Sequence, residues 1–172
     1  MSPRPSSWPC QKRKSSWPFY GMVAAVFCGL MLAGWLHPTR AATTELYVSD
    51  RNGIAFYGFD PVAFFIDGVP RRGMAAFELV HAGAVFRFRN EGNRAAFAKD
   101  PETYLPRYGG YDAFAIGRGS PVPGLPQFFV IRNGQLYLFA SEQSRANFIA
   151  NSEEVLSAAE FSWPRVRRGL VH

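Results

Sequence analysis

The chain has almost no sulfur chemistry to offer. Its 172 residues include two cysteines, Cys10 and Cys28, and both lie ahead of residue 42. Everything beyond that point is thiol-free, which excludes a disulfide scaffold, a thiolate nucleophile and a sulfur-ligated metal. Histidine is scarce as well: His81 stands alone between His37 and the terminal His172. No serine, histidine and acid follow one another in a hydrolase order, and no paired zinc histidines or phosphate-binding glycine loop is present. A catalytic reading therefore has no set of residues to rest on, and a non-catalytic protein is expected.

Excess charge is also missing from most of the chain. The formal net charge is +6, but Arg4, Lys12, Arg13, Lys14 and Arg40 account for five of the 19 basic residues, which leaves 14 against 13 acidic ones beyond residue 41. A near-neutral domain argues against nucleic acid as a partner. The Phe86-Arg87-Phe88-Arg89 run fits a strand with rings inward and arginines outward.

From Phe19 to Leu36 no charged residue occurs, and the Lys12-Arg13-Lys14 cluster precedes this stretch. That order is an export leader. Small residues at Thr39 and Ala41 frame a cleavage before Ala42; the apolar run is also long enough to remain as a membrane anchor. Both outcomes deliver the domain to the periplasmic or extracytoplasmic side, soluble in one case and held at the membrane by residues 19–36 in the other. Trp35 stands where a lipoprotein needs its cysteine. The expected organisation is a leader over 1–41, a polar linker over 42–52, one domain over 53–164 and a basic C-terminal tail over 165–172.

The folded part is aromatic, with 16 phenylalanines in the chain. Turn signals separate short apolar runs and no internal repeat is evident, so an α+β domain is expected: a small, mostly antiparallel sheet of hairpins with a few short helices. Asp60-Pro61 opens a strand over Val62 to Ile66. Phe77, Leu79 and His81 alternate toward an Ala82-Gly83 turn, with Phe86 and Phe88 on the return. Asn133-Gly134 sets a type I′ hairpin within Phe128 to Phe139, expected to be central and buried. Helices are expected over Asn93 to Lys99, from Pro101 behind Asp100, after the cap Ser141, and over Val155 to Phe161 behind an Asn151/Glu154 capping box, with Trp163-Pro164 as the stop.

Tyr57-Gly58-Phe59-Asp60-Pro61-Val62-Ala63-Phe64-Phe65, Gly83-Ala84-Val85-Phe86-Arg87-Phe88, Phe97-Ala98-Lys99-Asp100-Pro101-Glu102-Thr103-Tyr104-Leu105-Pro106 and Tyr108-Gly109-Gly110-Tyr111, in that order, resemble the bacterial exported YHS-domain-containing (seleno)protein family. The resemblance implies a small exported α+β domain related to metal-associated, cysteine-bearing modules. It also implies that the sulfur positions are replaced here, by Ala63, Arg89, Asn93 and Asp112.

The candidate residues follow. His81 and Asp112 are the metal candidates, with a divalent ion as the cofactor they would take; the competing readings are a surface or hydrogen-bonding turn histidine and a solvated turn aspartate left after a site was lost. Tyr108, Gly109, Gly110, Tyr111 and Asp60 are the ligand-binding candidates, set against a purely structural use of the glycines and of the Asp-Pro turn. The partner is a small ligand or an envelope protein, with membrane contact through the N-terminal segment if it is not cleaved.

Overall fold

The computed structural model describes residues 46–170, and the leader and its hydrophobic segment lie outside the described residues. Within them the chain is α+β, with two separate antiparallel hairpins and several helices. The order is α1 (Ala63–Ile66), β1 (Met74–His81), β2 (Ala84–Phe88), α2 (Glu91–Lys99), α3 (Pro101–Tyr104), α4 (Ala113–Gly117), β3 (Leu125–Arg132), β4 (Gln135–Phe139), α5 (Glu142–Ala150) and α6 (Ser152–Leu170). No helix among the described residues is long and apolar enough to cross a membrane.

The expectation of no internal repeat is overturned. Both hairpins and the helix after each recur with a shift of 51 positions: 74 to 125, 84 to 135, 91 to 142. The register recurs too. Met74 pairs with Phe88 and Leu125 with Phe139, and each ladder then slips by a bulge before Glu78–Arg87 or Phe129–Leu138. The turns match: Ala82-Gly83 and Asn133-Gly134 both take positive φ at their two central residues, as a type I′ turn requires. Upstream, the Asp60 amide donates to the Arg71 carbonyl and the Asp112 amide to the Val122 carbonyl, both at 2.8 Å. Asn90 accepts from the Asn93 amide to start α2, as Ser141 does from Ser144 to start α5.

The repeat leaves few identical pairs, among them Gly73/Gly124, Phe77/Phe128, Phe88/Phe139, Arg94/Arg145 and Phe97/Phe148. Gly73 has a steric reason: a Cβ there would lie 2.4 Å from the Arg87 backbone. Gly124 has the same one, against Gly110 and Leu138 at 2.6 Å.

Each half builds its own core. Phe56, Phe64, Phe86, Phe88 and Phe97 close the first; Tyr108, Ile116, Tyr137, Phe139 and Phe148 belong to the second. β4 lies between them, with Leu136 and Leu138 facing the first core and Tyr137 and Phe139 the second. It is buried on both faces, as expected for the Asn133-Gly134 hairpin; its partner β3 is only partly covered.

Four expectations are corrected. Val62 to Ile66 is not a strand: Asp60 accepts from the Val62 and Ala63 amides, which turns a β-branched and aromatic sequence into the helix α1. The stretch 42–52, read as linker, is tied into the domain at buried Val48, whose amide donates to the Gly109 carbonyl and whose carbonyl accepts from the Phe56 amide, while Ser49, Arg51 and Asn52 are exposed. α2 begins at Glu91, ahead of Asn93, because Asn90 supplies the cap. Pro164 does not stop α6, which continues to Leu170. Val155, Ala159, Ser162, Val166 and Leu170 form one buried stripe along it, and burial beyond the proline outweighs the lost hydrogen bond. The expected basic tail is therefore, through Leu170, the end of a packed helix.

Candidate functional site

Asp60 and Asp112 occupy matching places and perform matching tasks. Asp60 is fully buried. Its Oδ1 accepts from the Val62 and Ala63 amides at 2.9 and 3.3 Å, and its Oδ2 from the Arg89 amide at 2.9 Å and the Asn93 side-chain amide at 2.6 Å. Asp112, 1% exposed, accepts through Oδ1 from Phe114 and Ala115 and through Oδ2 from Ala140. Each carboxylate holds amides at the start of a short helix, Asp112 as its N-cap and Asp60 from the turn ahead of Val62, and ties it to the residue that follows a hairpin. Buried carboxylates are tolerated where amides meet both oxygens.

Ala63, Arg89 and Asn93 all converge on Asp60. They present N–H groups to an anion already in place. Such a donor set repels a cation, and the same holds around Asp112. His81 stacks edge-on against Phe86 and Phe97 at the end of the first hairpin, and its contacts share no residue with those of Asp112. No group of three histidine, cysteine, aspartate or glutamate side chains that could hold a metal occurs among the described residues.

The Tyr108 to Tyr111 segment has two faces. Tyr108, Gly109 and Gly110 take φ of 55°, 63° and 85°, and Phe56, Tyr57 and Gly58 repeat the pattern at 50°, 56° and 77°. A left-handed non-glycine residue costs about 1–2 kcal/mol, so the shared strain belongs to the repeated motif. The glycines serve close approach: a Cβ on Gly109 would meet the Leu46 carbonyl oxygen, and one on Gly110 the Phe56 ring at 2.7 Å.

Tyr108 and Gly109 also line a cleft of about 370 Å³, together with Tyr47, Arg107, Trp163 and Arg167. Of the ligand-binding candidates, Asp60, Gly110 and Tyr111 do not line it. The Tyr108 hydroxyl donates to Glu160 Oε1 at 3.1 Å, and Arg107 donates to the same oxygen. Burial, then the negative charge and hydrogen bond of Glu160, push the Tyr108 hydroxyl far above the ordinary tyrosine pKa, so it stays a donor. At Tyr47 the pKa is raised by burial and by Glu102 and pulled back by Arg167, and all three residues line the cleft. Arg167 makes no ion pair among the described residues.

Glu160, Trp163 and Arg167 are the residues that sequence reasoning missed. Their spacing of three and four places them on one helix face, a signal cancelled by reading Pro164 as a stop. Comparison of the chain with models of known families, with curated proteins and with solved structures finds no match.

Proposed function

We propose that this chain is an exported, non-catalytic YHS-like domain that binds a small organic monoanion in the cleft between the Arg107–Gly109 segment and α6. Export rests on the leader pattern and the YHS-like reading on the ordered motifs of the sequence. The observation that carries the binding site is where the two halves stop matching. Phe56, the counterpart of Tyr108, is buried against Tyr47 and Phe86. In the second half the same position gains a hydroxyl, a glutamate partner and a cleft of ligand size.

The chemistry follows from the lining. Arg107 is neutralised by Glu160, which leaves Arg167 to meet an acid group. Leu105, Pro106 and Trp163 supply an apolar wall. Glu102 also lines the cleft and repels a second acid group. A ligand with one carboxylate or phosphate ester and a short apolar body fits this set. A metal ion does not: the donors gathered around Asp60 and Asp112 are amides.

The test is a titration of the purified full chain followed through the indole N–H resonance of Trp163. Hexanoate should give a saturable shift, adipate a response about tenfold weaker, and Arg167→Ala a comparable loss with an unchanged melting midpoint. No saturable shift with hexanoate or butyl phosphate at millimolar concentration rejects the site. A saturable response to zinc or copper(II) at His81 returns the metal reading.

A further inference from the structure

A second cleft, separate from the first, opens against α4, α5 and the start of α6. Its volume is about 440 Å³, and its lining includes Phe114, Gly117, Arg118, Asn147, Glu154 and Val155. The internal repeat shows what stands at the same place in the first half. Asp60 accepts from the Val62 and Ala63 amides where Asp112 accepts from those of Phe114 and Ala115, so the residues from 60 match those from 112 with a shift of 52, although α4 starts two residues earlier in that frame than α1. Phe64 and Ile116 are the buried pair, Phe65 matches Gly117, and Ile66 matches Arg118. After α2 and α5, Pro101 to Tyr104 corresponds to Ser152 to Val155.

In the first half, the Phe65 and Tyr104 rings meet edge to face, with centroids 5.6 Å apart. The second half replaces both rings, by Gly117 and Val155, and both of these residues line the cleft. The rim changes in the same direction. Exposed Ile66 becomes Arg118, whose guanidinium lies over the Phe114 ring at 4.4 Å. Thr103 becomes Glu154, and Ala96 becomes Asn147. Arg118 and Glu154 make no ion pair among the described residues, with each other or with any other group.

From this we infer that the second cleft binds an aromatic zwitterion of the α-amino-acid class. The ligand's ring takes the place that Phe65 fills in the first half. Its carboxylate meets Arg118 and its ammonium meets Glu154. Asn147 offers a side-chain amide beside them, with its oxygen already accepting from Gln143 at 3.1 Å. Ring burial supplies most of the affinity and the two charges supply selectivity, since Arg118 and Glu154 are both exposed to solvent.

The experiment is a titration of the full chain with L-phenylalanine, 3-phenylpropionate, phenethylamine and glycine, read at the amide resonances of Gly117 and Arg118. L-phenylalanine should saturate in the millimolar range, with either single-charge analogue about tenfold weaker and glycine silent. Arg118→Ile, which installs the residue of the other half, should abolish the preference for L-phenylalanine over phenethylamine. Gly117→Phe should fill the cleft and end binding. Its Cβ comes 3.2 Å from that of Ala158, so Asn147→Phe serves as a second block if the first variant does not fold. Saturation by glycine, or no saturation by L-phenylalanine, overturns the inference. The response to hexanoate at Trp163 is read separately and stands or falls with the first cleft alone.

Discussion

The first and second halves of this domain share a backbone plan and differ in what they leave open. In the first half, aromatic rings fill every matching corner: Phe56 under Tyr47 and Phe86, and Phe65 on Tyr104. In the second, the same corners hold Tyr108, Gly117 and Val155, and both clefts border them. The difference also lies in the helix that follows each half. α3 is four residues long, whereas α6 runs for 19 and brings Glu160, Trp163 and Arg167 back over the domain. A duplicated frame thus has one half that closes the fold and another free to present polar groups.

The strongest way to break this comparison is through the two buried aspartates. Asp60→Ala and Asp112→Ala each orphan at least three backbone amides, and each should cost about 3 kcal/mol or more in urea unfolding. Asp60 carries the extra Asn93 donor, so its loss should be the greater. If Asp112→Ala leaves the unfolding midpoint in place, the two carboxylates do not have the same task and the equivalence of the halves fails.

Glycine separates the halves on a finer scale. Gly58 and Gly110 both take positive φ, but a Cβ on Gly58 meets nothing closer than 3.7 Å, while one on Gly110 strikes the Phe56 ring. Gly58→Ala should cost about 1 kcal/mol, the left-handed penalty alone, and Gly110→Ala about twice that or more. Equal costs would show that the Phe56 ring yields freely.

Much of the frame is legible in the sequence. Both hairpin turns, the Ser141 cap, the Pro101 start and the α+β class follow from local chemistry that tertiary contacts did not override. The repeat was not legible, because its identities are few and scattered and its spacing changes from 52 residues at Asp60/Asp112 to 51 at the hairpins. α1 was misread because Val62, Phe64 and Phe65 carry strand propensity, and only a buried carboxylate capping their amides makes them helical. The first cleft was half legible. Tyr108 and Gly109 stood out by composition, but their partners come from the helix turns around Pro164, where propensity predicts an end and burial of Val166 and Leu170 prevents one. Asp112 is buried where the sequence suggests a solvated turn residue, because one of its amide partners, Ala140, lies far along the chain.

Exchanging the hydroxyl between the halves is the next test. Phe56→Tyr places an oxygen in a corner packed by rings and should destabilise by about 2 kcal/mol. Tyr108→Phe loses one hydrogen bond while Glu160 keeps Arg107, a cost of about 1 kcal/mol. The second variant also has a pH signature. The folded Tyr108 pKa is raised, so the folded chain holds a proton that the unfolded chain releases near the ordinary value of 10. The stabilisation is complete below that value and is lost as pH rises beyond it toward the folded pKa. Tyr108→Phe should therefore flatten the alkaline fall in stability without removing it, because burial also raises Tyr137 and Tyr47.

The smallest effect expected is one of sameness. Arg94 reaches back to Glu91 in α2, and Arg145 to Glu142 in α5, with matching distances of 2.7 and 2.8 Å. In both helices the arginine hydrogen bond leads in holding the glutamate below its ordinary pKa. Each pair therefore acts above the unfolded carboxylate value and is lost as pH falls through the lowered one. Both pairs are solvent-exposed, and salt screens them. Arg94→Ala and Arg145→Ala should barely move the thermal midpoint, by equal amounts, and the small difference should vanish in high salt or below the carboxylate range. An appreciable loss in one helix alone would mark that pair as carrying a contact the other half lacks. Position 145 is the more informative of the two, since α5 also walls the second cleft through Asn147.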